Sequence, residues 1–261
     1  MTRLAFAGDR QVAVDCLRFL LDNDVEPLAL LVPSAKRASH ATALQDMSGL
    51  AAEFVLRGTE FREPAGIELL QSLDLDYVIG VHFPYVVPGA VLEVPRIGVT
   101  NLHPALLPFN RGWHTPSWAI LDQTPIGATL HFMDEGLDTG DIVAQVELEI
   151  EPDDTADRLY HRLLRLEVKL FAEAWPLLAS GDPPRTPQSG DVGTRHDRSE
   201  LGSDTVRRLD LAETTEVGKL IRRLRALTTN DLAEAAYFEA DGRRYMVQIE
   251  ITPDQEDERP V

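Results

Sequence analysis

The run 97-IGVTNLHPALLPFNRGWHTPSWAILDQTPIGATLHFMDEGLDTGD-141 carries two short apolar segments on either side of a loop of prolines, glycines and polar side chains. Ile97 to Asn101 is mostly apolar and β-branched, and predicts a strand that delivers Asn101 and His103 at its end. Ile126 to Met133 predicts a second strand, followed by a turn at Gly136 and Gly140 that carries Asp138. Open α/β sheets bind ligands beyond the carboxyl ends of their strands. Two such ends bring Asn101, His103 and Asp138 within reach of one another.

Working toward the N-terminus, Leu4 to Ala7 and Leu28 to Val32 predict buried strands, the second halted by Pro33. Val12, Val14, Leu17, Leu20 and Leu21 lie between them at helical spacing. Helices are expected over 41–53 and from Pro64 to Leu73, and a strand from Asp76 to Val81. The segment HFPYVVP, 82–88, reads as an irregular loop. Short apolar strands alternating with amphipathic helices predict an α/β fold, a mostly parallel sheet with helices on both faces.

On the C-terminal side, Ile142 to Ile150 alternates as a strand with one wet face, and Asp153-Asp154-Thr155 offers caps for a helix. Leu159, Leu163, Leu166, Leu170 and Trp175 mark the stripe of a helix to about Ser180, stopped by Gly181 and Pro183-Pro184. Residues 182–205 are polar and rich in Pro and Gly, a linker or surface loop. Glu216 to Leu227 predicts a short helix with Val217, Leu220, Ile221, Leu224 and Leu227 on one face. Asp241-Gly242 between Ala236–Ala240 and Tyr245–Ile251 predicts a hairpin. An isolated hairpin is marginal in water, so it packs on the main domain or on another subunit. The expected organisation is a main α/β domain over 1–181, a linker or surface loop over 182–205, a helix-and-hairpin unit over 206–252 and an acidic, disordered tail over 253–261.

With 261 residues, 44% of them apolar, the chain can bury a full core. A net charge of −18 argues against a broad nucleic-acid surface. The single cysteine, Cys16, permits no disulfide within the chain and no thiolate zinc site. No stretch approaches the ~18 apolar residues of a membrane span, and the chain starts directly with a strand, so a cytoplasmic location away from membranes is expected. FAGDRQVA after the first strand lacks the dinucleotide glycines, and neither a phosphate loop nor a G-x-S-x-G elbow occurs. The seven histidines form no H-E-x-x-H pair and the acidic run 134–141 lacks calcium-loop spacing, so no metal is expected.

Asn101, His103 and Asp138 form a workable set for acyl transfer. An imidazole can take a proton from an attacking nucleophile. A carboxylate can orient it, and an amide N–H can donate to an oxyanion. No hydroxyl or thiol nucleophile is evident, which favours direct transfer to a substrate amine. The residues alone also allow Asn101 and His103 to cap a strand end and Asp138 to brace a turn. Trp118 reads as packing, and His131, inside a strand, as a satisfied core histidine.

NLHPALLPFNRG, followed by LDTGD at 137–141, resembles the signature of the folate-dependent formyltransferases. The resemblance implies a Rossmann-like sheet and assigns catalytic roles to Asn101 (oxyanion), His103 (base) and Asp138 (orientation and proton relay). It implies that 10-formyltetrahydrofolate, the co-substrate, lies against Val81, His82, Phe83, Pro84 and Tyr85 and against Asp134, Gly136 and Asp138. His82-Phe83-Pro84 departs from the Tyr-Gly of many relatives. Among subgroups, the chain is too short and too acidic after residue 180 for the tRNA-binding barrel of the methionyl-tRNA enzymes. NRGWHTPSWAI, GTRHDRSEL at 193–201, LIRRLRALT and the hairpin resemble the sugar N-formyltransferases. That subgroup implies a nucleotide-linked amino sugar, dTDP-linked in many members, and a homodimer through the hairpin region. Asn110, Arg111, Trp113, His114 and His196 are the candidates for touching the acceptor. A non-sugar amine acceptor and a non-catalytic folate-binding domain are the alternatives.

Overall fold

The computed structural model describes residues 2–36, 38–188 and 192–254. The chain runs β1 (Leu4–Gly8), α1 (Arg10–Asp22), β2 (Ala29–Val32), α2 (Ala41–Ser48), β3 (Val55–Arg57), α3 (Pro64–Ser72), β4 (Tyr77–Val81) and α4 (Gly89–Leu92). It continues through β5 (Gly98–His103), β6 (Arg111–Gly112), α5 (Thr115–Asp122), β7 (Ile126–Phe132), β8 (Ile142–Leu148) and α6 (Ala156–Ala179). The last elements are β9 (Arg195–His196), α7 (Asp204–Arg207), α8 (Val217–Ala226), β10 (Ala236–Ala240) and β11 (Arg243–Val247).

Seven strands form one sheet in the order β3-β2-β1-β4-β5-β7-β8. The first five are parallel, and β7 and β8 join antiparallel. The expected mostly parallel α/β sheet is what forms. One face buries Leu4, Phe6, Tyr77, Ile79, Val81 and Leu102 against Leu17 and Leu20 of α1 and Leu170, Phe171 and Leu178 of α6. The other buries Ala5, Leu31, Val78 and Val99 against Phe61, Leu70 and Val91. Each such large side chain contributes ~1.5–3 kcal/mol relative to exposure. Order reverses between β1 and β4, the switch point where α/β sheets open a crevice at their carboxyl ends.

The structure differs from the sequence reading in several elements. The central strand reaches His103, so Asn101 lies inside the sheet, opposite His131, and only His103 stands at the strand's end. The reason is the antiparallel ladder with β7, which extends pairing two residues further than the apolar run. The helix expected over 41–53 stops at Ser48, where Gly49 takes a left-handed cap at φ +64°. The freed residues make a turn and then β3, an edge strand that was not expected. Helix α5 falls in the stretch between the two central strands that reads as loop, and α4 in residues 89–92, where the sequence predicts no element. Within the linker segment 182–205, β9 pairs in parallel with β6 and α7 begins at Asp204. Most of the acidic tail, 255–261, lies outside the described residues.

The C-terminal hairpin packs on the main body, as its marginal stability requires. Leu227 and Ala236 are buried with Trp118 of α5, and Val247 packs against them. Tyr237 donates its hydroxyl to Asp204 Oδ1 at 2.5 Å and carries Arg244 over its ring at 3.8 Å. No helix among the described residues is long and apolar enough to cross a membrane.

Candidate active site

Asn101 and His103 are two residues apart on β5 and therefore share a face of the sheet. Gly80 of β4 is the register partner of Asn101. A Cβ there would stand 3.3 Å from Asn101 Oδ1, so glycine leaves room for the amide. His103 is buried, with Nε2 3.3 Å from the Asn110 carbonyl oxygen and 3.6 Å from Asp138 Oδ2. Both neighbours are acceptors, which places the proton on Nε2 and leaves Nδ1 with the lone pair.

Asp138 sits at φ +54° in the turn after β7. Asp134 Oδ1 builds that turn by accepting from Gly136 N (2.9 Å) and from the Thr139 hydroxyl (2.6 Å). A Cβ on Gly136 would collide with Thr139. Asp138 Oδ2 accepts from Gly112 N at 2.9 Å, and Gln188 Nε2 donates to the Asp138 and Gly140 carbonyls. Asp138 Oδ1 lies 3.7 Å from His131 Nε2. The carboxylate thus stands between two imidazoles.

Burial opposes the charge on Asp138, but His103, His131, the Gly112 N–H and Arg111 together outweigh it and hold this carboxyl below the ordinary range. Burial pushes His131 down to about 4, and Asp138 restores only part of the loss. His131 Nδ1 stands 2.7 Å from the Phe132 carbonyl, while its buried Nε2, 3.7 Å from Asp138 Oδ1, has no hydrogen-bond partner among the described residues. A histidine read as a satisfied core residue is therefore half-satisfied and adjacent to the reacting groups. The signal was its position opposite Asn101, which only the antiparallel ladder reveals.

The second wall is the 81–88 loop. Val81 ends β4 fully buried. Phe83 packs edge-on and Tyr85 tilted against Phe61, with centroids 5.3 and 6.1 Å from it, and the intervening residue Pro84 is half-buried. The Tyr85 hydroxyl accepts from Ser34 N at 3.2 Å. Among the described residues, the backbone N–H groups of Phe83 and Val86 make no backbone hydrogen bond. This wall approaches the Asp134–Asp141 turn, since a Cβ on Gly89 would stand 3.3 Å from Glu135 Oε1. An edge with two such N–H groups suits a flat polar heterocycle held by main-chain contacts. The His82 imidazole does not join this wall; it is turned inward onto Glu167 at 2.9 Å.

The acceptor candidates separate into two groups. The Asn110 amide is buried, donating to Pro125 O at 3.0 Å and accepting from the Thr124 hydroxyl. His196 stacks on Trp118 at 3.7 Å, with one ring nitrogen on Asp122 and the other on Glu200. Both are tied into the scaffold. The Arg111 guanidinium, half-buried, bonds Gln188 Oε1 at 2.7 Å. Trp113 carries Arg198 over its ring at 4.9 Å, and His114 Nδ1 faces Glu234 at 3.5 Å. Arg111 lies near Asp138, and Gly112, next in the chain, donates to it directly, while the Trp113 and His114 side chains face Arg198 and Glu234.

Residues 6–175 match the formyl transferase family, and residues 203–253 match the N-formyltransferase dimerization C-terminal domain. The chain is 33% identical over 190 residues to the dTDP-4-amino-4,6-dideoxyglucose formyltransferase of Mycobacterium tuberculosis, covering 72% of this chain and 77% of that one. A sugar N-formyltransferase from Shewanella superposes at a TM-score of 0.82 with 21% identity over 98% of this chain and all of the other. The formyltransferase PseJ from Anoxybacillus kamchatkensis, in complex with UDP-4,6-dideoxy-4-formamido-L-AltNAc and tetrahydrofolate, superposes at 0.55 with 26% identity, over 77% of this chain and 87% of that one. The chain belongs to the formyl transferase family.

Proposed function

We propose that this formyltransferase moves the formyl group of 10-formyltetrahydrofolate to the amine of a nucleotide-linked amino-deoxy sugar, with dTDP as the nucleotide. The observation that carries the reading is the His103–Asp138 pair at the open end of the sheet, with Asn101 on the same face of β5, in a chain one-third identical over 190 residues to a dTDP-amino-sugar formyltransferase. Val81, His82, Phe83, Pro84 and Tyr85 form one wall for the folate through their backbone, and Asp134, Gly136 and Asp138 the other. His103 Nδ1 takes the proton from the acceptor amine as its nitrogen bonds to the formyl carbon, and returns it to N10 as the C–N10 bond breaks and tetrahydrofolate leaves. Asn101 donates to the oxygen of the formyl group as charge builds there. Asp138 stabilises the imidazolium formed on His103 and keeps the ring oriented. Arg111, Trp113 and His114 receive the acceptor, Arg111 offering a cation for phosphate and Trp113 a face for a ring. Asn110 and His196 shape that pocket from behind.

The catalytic domain spans 1–181, and the C-terminal unit over 206–252 forms a homodimer. Val217, Leu220 and Ile221 of α8 and Tyr245 of β11 are exposed large apolar side chains on that unit, a patch suited to a second copy. We place the enzyme in the cytoplasm.

The test is mass spectrometry of a panel of nucleotide-linked amino sugars after incubation with the protein and 10-formyltetrahydrofolate. One member gaining a formyl group, and losing that gain with His103→Ala, is the expected result. Full activity of His103→Ala refutes the assignment of the base. Formylation of methionyl-tRNA with no sugar product refutes the acceptor class.

A further inference from the structure

One carboxylate in the core has no part in this chemistry. Glu167 lies on the buried line of α6, between Leu163 and Phe171, where the helical stripe calls for an apolar side chain. Its side chain is 0% exposed. A buried carboxylate needs a partner that is charged or donates hydrogen bonds. Glu167 has His82, whose Nε2 stands 2.9 Å from Oε1 and 3.0 Å from Oε2. The other ionisable groups around the pair are the buried Cys16 thiol and Asp15 of α1, Asp9 and Arg10 at the end of β1, and Tyr160 on the same face of α6. Arg10 is engaged with the Tyr160 hydroxyl at 3.1 Å. Among the described residues, no ion pair other than the one with His82 reaches Glu167.

The backbone shows what the pair does. Tyr77, Ile79 and Val81 of β4 face the α1 and α6 side. Strand alternation would send residue 82 to the opposite face. His82 instead adopts φ +52°, a left-handed conformation that a non-glycine residue takes only when its surroundings impose it. The reversal returns the imidazole to the α6 face, onto Glu167. It also sets the direction in which Phe83, Pro84 and Tyr85 leave the sheet.

We infer that the buried His82–Glu167 pair is a positioning device that holds the 82–88 loop in its folate-binding shape. The inference rests on the proposed function, since it takes that loop as a folate wall. His82 thereby acts through its side chain on the core and through its peptide groups on the ligand. Glu167 is a positioning residue, not a catalytic one. Breaking the pair frees the left-handed turn, and the loop must then be ordered at the expense of binding.

The experiment compares wild type, Glu167→Gln and the double variant His82→Phe/Glu167→Met. The first keeps shape but removes the charge. The second replaces the pair by apolar bulk, which restores core stability without restoring the pin. Initial rates are measured against 10-formyltetrahydrofolate at saturating amino-sugar nucleotide, and against the nucleotide at saturating folate. Binding of 5-formyltetrahydrofolate is followed by calorimetry. The expected result is a rise of at least ~tenfold in folate KM and Kd for both variants, ~1.4 kcal/mol, with acceptor KM within ~twofold in both and kcat within ~twofold in Glu167→Gln. Recovery of Tm in the double variant without recovery of folate affinity separates positioning from mere stability. Unchanged folate affinity in either folded variant overturns the inference. So does a parallel rise in both KM values. Wild type that binds no folate refutes the functional reading itself, a result distinct from wild type and Glu167→Gln binding it equally.

Discussion

Asp138→Asn isolates the electrostatic contribution of the carboxylate between the two imidazoles. The amide keeps the size and can still accept the Gly112 N–H through its oxygen, so the turn persists. What disappears is a negative charge 3.6 Å from His103 Nε2. When His103 takes the proton of the acceptor amine, the attraction between imidazolium and carboxylate at that distance, with an effective dielectric of ~20, is about 4–5 kcal/mol. At ~1.4 kcal/mol per decade this is a fall of about 10³ in kcat. Both side chains are about nine-tenths buried, so salt screens little of it. The assay is single-turnover formyl transfer at saturating concentrations of both substrates, with folate affinity measured in parallel. The expected pattern is a collapse of the rate with folate Kd changed only a few-fold. A folded Asp138→Asn protein that retains more than a tenth of wild-type kcat refutes the argument, because the carboxylate would then act only as a brace for the turn.

Three further outcomes follow from the same geometry. His131 binds its proton near pH 6.5 when unfolded and at about 4 when folded. Between those values the unfolded chain holds more protons, so stability is lost as pH falls from ~6.5 to ~4, by on the order of 3 kcal/mol; thermal melts of His131→Gln should show a flatter pH dependence across that window. Asp138, held below the ordinary carboxylate range, acts in the same sense at still lower pH. Gly112→Ala places a methyl at φ +95° against the His196 carbonyl. It should cost ~1–3 kcal/mol and, by displacing the N–H that binds Asp138, lower kcat more than folate affinity; a melt combined with steady-state rates measures both. Ile221→Asp, on the exposed face of α8, should convert the dimer to monomer in light scattering at micromolar concentration, with the secondary structure intact by circular dichroism.

How far these features could be read from the residues depends on the range of the interaction that makes them. The strands β1, β2, β4 and β5 were legible because each is a short apolar run with its own turn signals, and the proximity of His103 and Asp138 because NLHP and LDTGD are local motifs. β3 was not legible: Val55–Arg57 is three residues long, and only its pairing with β2 makes it a strand. His131 was misjudged because its meaning lies in the register with Asn101, a non-local fact. Gln188, in a polar segment with no periodicity, gave no sign that it binds Arg111 and the Asp138 carbonyl at once. Glu167 was the missed opportunity. A carboxylate at i+4 between Leu163 and Phe171 interrupts the stripe of α6, and such an interruption in a buried helix calls for a partner elsewhere in the chain.

The C-terminal unit is more than an appendage to the site. Trp118 is buried with Leu227 and Ala236 on one side and stacks on His196 with an interplanar angle of 4° on the other. His196 offers a ring nitrogen to Asp122 of α5 at 2.8 Å and the other to Glu200 at 3.0 Å, so the 195–200 segment is clamped to α5. That segment is β9, whose pairing with β6 aligns Gly112, and Gly112 N in turn binds Asp138. An unbroken series of packed rings, a parallel strand pair and one hydrogen bond therefore joins the core of the C-terminal unit to the Asp138 carboxylate. Residues 195–201 are held at the active-site loop by this clamp together with one fully buried apolar side chain, Leu201, packed in the cluster of Trp118 and Leu227. Their composition therefore reads as linker while their position is fixed. The same arrangement explains why His196, a candidate for touching the acceptor, is tied into the scaffold: both its nitrogens are committed to holding the loop that bears Arg111 and Trp113.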